Sequence, residues 1–154
     1  MTIRVRRTMA VCALALLAVA CGGPQDGQPE IRLVTDAYSF RISSDPMPPH
    51  AREPHRWRVV VIDRKTQQPV QNGEGRIFAT SRDGTNTWDG FAPGEEVGTY
   101  YGRLNFLTSG EWAMAVQFRA DSTQPLQRVD WIQGVLAERP LGAETDSAAR
   151  GTPP

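Results

Sequence analysis

Gly98-Thr99-Tyr100-Tyr101-Gly102-Arg103-Leu104-Asn105-Phe106 and Glu111-Trp112-Ala113-Met114-Ala115-Val116-Gln117-Phe118, joined through Thr108-Ser109-Gly110, form the stretch that decides the fold. Their side chains alternate with a period of two. Tyr100, Leu104, Phe106, Trp112, Met114, Val116 and Phe118 fall on one face, while Thr99, Arg103, Asn105, Glu111, Gln117 and Arg119 fall on the other. This pattern predicts two adjacent antiparallel strands forming a hairpin, with one face in a core and one in water. Burying a side chain of this size contributes roughly 1.5–3 kcal/mol, so the apolar face alone supplies much of the stability of a small domain.

The same period extends outward in both directions, and no run carries the i, i+3, i+4 spacing of a helix of any length. Toward the N-terminus, Arg56 to Asp63 places Trp57, Val59 and Val61 on one side and Arg58, Val60 and Ile62 on the other, as in a central strand covered on both faces. Ile31, Leu33 and Tyr38, Phe40, Ile42 predict one or two short strands broken near Asp36. Ser43 to His50 holds three prolines in four residues, which excludes ladder hydrogen bonds and predicts a loop. Gly75 to Thr80 predicts a strand, and Leu126 to Leu136, with Val129 and Trp131, a last one. Turn signals at Arg64 to Pro69, Asn72-Gly73, Arg82 to Asn86, Pro93-Gly94 and Asp121 to Pro125 separate these runs. The expected fold is all-β, an immunoglobulin-like antiparallel sandwich of about seven strands, with a closed barrel as the alternative.

Ahead of this body, Arg4, Arg6 and Arg7 precede an uncharged apolar run from Met9 to Ala20. A membrane span needs about 20 apolar residues, so the run reads as the apolar part of an export signal. Leu17-Ala18-Val19-Ala20-Cys21 is similar to the lipobox of bacterial lipoproteins, in which the cysteine is acylated and becomes the first mature residue. The expected organisation is a signal peptide at 1–20, a flexible tether at 21–29 rich in Gly, Pro and Gln, a sandwich domain at 30–137 and a disordered tail at 138–154. Gly22 stands where an aspartate would resemble an inner-membrane retention signal. The expected site is therefore the outer membrane, facing the periplasm, in a cell that has one.

Composition narrows the chemistry. The 154-residue chain holds 17 basic and 17 acidic residues, and three arginines lie in the signal, leaving 14 against 17. No basic stripe or excess points to nucleic acid. Of the two cysteines, Cys12 lies in the signal and Cys21 at the acylation position, so no thiol is expected for a disulfide, a redox pair or a thiolate metal site.

Ser43-Ser44-Asp45-Pro46 with its Pro-rich continuation, Trp57-Arg58-Val59-Val60-Val61-Ile62-Asp63, Pro69-Val70, Gly98-Thr99-Tyr100 and Gly110-Glu111-Trp112 resemble, in order and spacing, the YtkA-like and FixH-like domains of bacterial envelope proteins. The resemblance spans Phe40 to Phe118. It implies a small β-sandwich that is lipid-anchored or membrane-tethered, with some relatives linked to cytochrome oxidase assembly or copper handling. Family members often carry methionine and histidine between the middle strands, whereas Thr80 to Gly90 here contains neither.

Two groups of residues stand out as candidate sites. Met47, His50 and His55 combine a thioether with both histidines of the chain, a donor set suited to copper, beside the like charges of Arg52, Arg56 and Arg58. Trp88 and Phe91 lie in a loop where an aromatic either anchors a partner or folds back to cap the sandwich. Glu95 and Glu96 are neighbours in an extended segment and point apart, Asp83-Gly84-Thr85-Asn86 reads as a turn, and no Ser/His/Asp constellation stands out. Trp57, Tyr100, Leu104, Phe106, Trp112, Val116 and Phe118 are expected in the core. The sum is a non-catalytic binding or assembly accessory of the envelope, without a cofactor, bound to the membrane through its lipid and to an envelope protein. Copper handling through the Met/His loop is the alternative.

Overall fold

The computed structural model describes residues 29–140, so the signal peptide, Cys21, most of the tether and the tail beyond Pro140 lie outside the described residues. The alternating runs form nine strands: β1 (Ile31–Val34), β2 (Tyr38–Asp45), β3 (Pro54–Asp63), β4 (Glu74–Ser81), β5 (Asn86–Gly90), β6 (Ala92–Pro93), β7 (Thr99–Asn105), β8 (Gly110–Arg119) and β9 (Gln127–Val135). They pair antiparallel in two sheets, of order β1-β2-β3-β7-β6 and β5-β4-β8-β9. With β1 and β5 set aside, β2-β3-β7-β6 faces β4-β8-β9 in the strand order of the immunoglobulin sandwich. The two extra strands account for nine in place of about seven. The two-residue β6 sits at a sheet edge, where Pro93 costs no ladder bond.

Three expectations are corrected. Ser43–Asp45, expected in a loop, end β2 in register with Arg58, Trp57 and Arg56, since the prolines start only at Pro46. Trp88, expected in a loop, lies in β5 and pairs with Phe78. β7 and β8 are not a hairpin, because β7 pairs with β3 and β6 while β8 pairs with β4 and β9. The segment between them crosses from one sheet to the other, and the two apolar faces meet across the core rather than side by side. Alternation reports only which face is buried; it is the same for strands that share a ladder and for strands that oppose each other. The crossing is held by the Trp112 indole, whose Nε1 donates to the Thr108 carbonyl at 3.0 Å, and by Phe106, packed on the Trp112 ring at 5.2 Å.

The core has two aromatic groups. Toward one end Tyr38, Phe40, Tyr100 and Phe118 meet edge to face at 5.0–6.2 Å, the favoured arrangement for ring quadrupoles. Toward the other, Trp57 packs against Phe106 and Trp131, and Phe106 against Trp112. Trp57, Tyr100, Leu104, Phe106, Trp112, Val116 and Phe118 are all buried, as expected from the sequence. β3 is also covered on both sides as expected: Val60 is buried, and Arg58 and Ile62 half-buried.

Candidate functional site

The Pro-rich loop after β2 folds across one end of the sandwich and joins the exit of β9. His50 and Leu136 form a parallel bridge, in which Leu136 N donates to the Pro49 carbonyl at 2.8 Å and Ala51 N to the Leu136 carbonyl at 2.9 Å. His55, 1% exposed, fastens this loop from beneath. Its Nε2 lies 2.7 Å from the His50 carbonyl oxygen and 3.0 Å from the His50 backbone nitrogen, so either tautomer makes one bond to that backbone. The His50 ring turns the other way, its Nδ1 2.8 Å from the Ala137 carbonyl. Met47 is half-buried and takes no part in this lock.

The two histidines are thus brought together, but through one ring and the other's backbone. Among the described residues no three His, Cys, Asp or Glu side chains group closely enough to hold a metal ion. Buried ring nitrogens without a partner are His55 Nδ1, Trp57 Nε1 and Trp131 Nε1, each costing about 1–3 kcal/mol.

The aromatic pair after β4 divides. Phe91 turns inward, half-buried against the core with its ring 6.1 Å from Tyr100, so it is not a partner-facing residue. Trp88 does the opposite: it does not cap the sandwich but stands 65% exposed on edge strand β5. Register fixes its direction. Trp88 pairs with Phe78, Phe78 with Ala115 and Ala115 with Asp130, so these four share the outer face of the second sheet. The next row is Gly90, Arg76, Gln117 and Arg128.

Ala115 sits on this outer face yet is 1% exposed, since Phe78 and the Arg128 guanidinium, 5.0 Å from that ring's centre, close over it. Arg76 lies 5.6 Å from the same ring and donates from Nε to Gln117 Oε1 at 2.8 Å. Asp130 grips Arg128 at 2.6–3.0 Å and pushes its pKa further up, keeping it charged. Arg119 is neutralised by Glu74 at 2.5 Å. Arg76 is therefore the cation of this face with no carboxylate partner among the described residues.

Two shallow grooves flank Trp88, both bordered by Arg76. One, about 240 Å³, runs along Phe78, Thr80, Asn86 and Thr87; the other, about 290 Å³, runs along Gly90, Gln117, Arg119 and Leu126. The sequence signal for this face was Phe78 itself, an aromatic on the opposite side of its strand from Ile77 and Ala79. Its partners on β8 and β9 follow only from the register.

No family model matches the chain, and no curated protein matches it. The fold is similar to the crystal structure of a DUF4426 family protein from Pseudomonas aeruginosa PAO1, with a TM-score of 0.54 and 11% identity over 71% of this chain and 97% of that one. At that identity the likeness concerns the fold alone.

Proposed function

We propose that this chain is a lipid-anchored, non-catalytic binding module on the extracytoplasmic side of a bacterial membrane, acting as an accessory in the cell envelope. The observation that carries the reading is Trp88, the largest ring held in solvent, fixed on a sheet face between two grooves rather than on a mobile segment. A large, rigid, amphipathic side chain with few rotatable bonds is the kind of anchor that binding surfaces use. The grooves are open and shallow, a shape suited to laying down an extended ligand. The export signal and the lipobox-like Cys21 support the location, as does the resemblance to YtkA-like and FixH-like domains.

Two measurements test the halves of this reading. Cells fed a fatty acid carrying a clickable tag should label the protein, and Cys21→Ala should abolish the label and release the protein from the membrane fraction. Persistent label in that variant contradicts the anchor. A photo-crosslinking residue at position 88 should yield an envelope adduct in intact cells that the same residue at Lys65, exposed on the turn after β3 and bordering neither groove, does not; equal yields contradict the binding role.

A further inference from the structure

Resting on that reading, we propose that the outer face of β4, β5, β8 and β9 binds an acidic polysaccharide, a chain of carboxylate-bearing sugar rings laid across Trp88.

Three features of the face choose this ligand. The exposed indole offers a flat apolar surface that matches the C–H face of a pyranose ring. The groups around it are the hydroxyl and amide of Thr80 and Asn86 on one side and the Gln117 amide on the other, with the Arg76 guanidinium bordering both grooves and the Glu74–Arg119 ion pair lining the second. Sugar hydroxyls both donate and accept, and such a mixed set satisfies them, whereas a protein hot spot calls for a desolvated apolar pocket. Two grooves of similar volume, about 240 and 290 Å³, on either side of one ring suit a repeating ligand that presents the same unit to each.

Charge selects the acidic class. Glu74 and Asp130 neutralise Arg119 and Arg128, which leaves the Arg76 guanidinium to meet a carboxylate. Its Nε donates to Gln117 and its Cζ lies 5.6 Å from the centre of the Phe78 ring, which leaves the two terminal nitrogens as a fork of the geometry that binds a carboxylate through two bonds. Gly90 keeps the second groove open. A Cβ at that position meets no atom within 4 Å, so a larger side chain there fills the groove without pressing on the fold.

The test is affinity electrophoresis of the full-length protein in mild detergent, in native gels containing alginate, dextran or poly-L-glutamate. Alginate, a polymer of uronic acids, is expected to retard the protein, while neutral dextran and poly-L-glutamate do so at least about tenfold more weakly. Trp88→Ala and Gly90→Leu should each weaken alginate binding about tenfold or more while leaving the thermal midpoint in place, and Arg76→Gln should weaken alginate binding about tenfold. Absence of retardation by alginate overturns the proposal, as does retardation unchanged in Trp88→Ala and Gly90→Leu. Trp88-dependent binding of poly-L-glutamate equal to that of alginate also overturns it, in favour of an acidic peptide. If alginate fails while position 88 still crosslinks in cells, the sugar assignment falls and the binding-module reading stands.

Discussion

The Tyr100 hydroxyl donates to the Val70 carbonyl at 2.8 Å and, in the same buried position, accepts from Gly73 N at 2.9 Å. One phenol on β7 thereby closes the crossing from the first sheet to the second, and its burial pushes the phenol pKa up. Tyr100→Phe keeps the ring packed on Phe118 but strands a carbonyl and an N–H. We expect a loss of about 1–3 kcal/mol. Urea unfolding should show a lower midpoint at unchanged slope; an unchanged midpoint contradicts the clamp.

Trp112 on β8 and Trp88 on β5 lie on opposite faces of the second sheet and are opposites in burial, 1% against 65% exposed. Trp112→Ala removes a core ring and the bond to Thr108, and should cost about 3–5 kcal/mol. Trp88→Ala should stay within about 0.5 kcal/mol of the parent. Thermal unfolding of the two variants side by side checks the contrast, and equal losses contradict the orientation of β5.

Gly98 adopts φ 78°, and a Cβ there comes within 2.6 Å of Pro69 Cβ and 2.9 Å of the Val61 carbonyl. Gly84 has φ 86° with open space around it. Gly84→Ala carries backbone strain of about 1 kcal/mol, whereas Gly98→Ala adds a steric clash beside the bond from Val61 N to the Gly98 carbonyl. Denaturant midpoints should rank Gly98→Ala clearly below Gly84→Ala; the reverse order contradicts the packing at this turn.

Several turn carboxylates hold their pKa below the ordinary range in the folded state. Asp63 does so through the Thr66 and Lys65 N–H groups, Asp83 through the Ser81 hydroxyl and Thr85 N–H, Asp121 through Thr123, and Glu53 through Arg139. A depressed folded pKa gives stability that is present above the unfolded value and lost as pH falls through the folded one. Urea midpoints should therefore decline as pH drops below about 5, and Asp63→Asn, which keeps an acceptor oxygen but no titration, should show a shallower acid limb. A midpoint independent of pH in that range contradicts these bonds.

The buried half of the fold was legible because alternation is a local property. Trp57, Val59 and Val61, or Trp112, Met114 and Val116, declare their inward side without reference to any other strand. Strand pairing is not local, and so the crossing at Thr108 read as a hairpin. The candidate site was half legible for the same reason. Trp88 stood out as an aromatic in a polar stretch, but its neighbours Arg76, Gln117 and Arg128 come from three strands and converge only through register. The inward turn of Phe91 was not legible, because it depends on the bond from its N–H to the Gly75 carbonyl, 16 residues upstream. His55 was unreadable as a loop fastener, since its partner is backbone and carries no side-chain signature.

The chain has four tryptophans, Trp57, Trp88, Trp112 and Trp131, and each gives one indole N–H signal in a nitrogen-15 correlation spectrum, assignable by single Trp→Phe changes. Adding uronic-acid oligomers should move the Trp88 signal while those of Trp57 and Trp112 hold their positions. A Trp88 signal that stays still through the titration would contradict the account of this face.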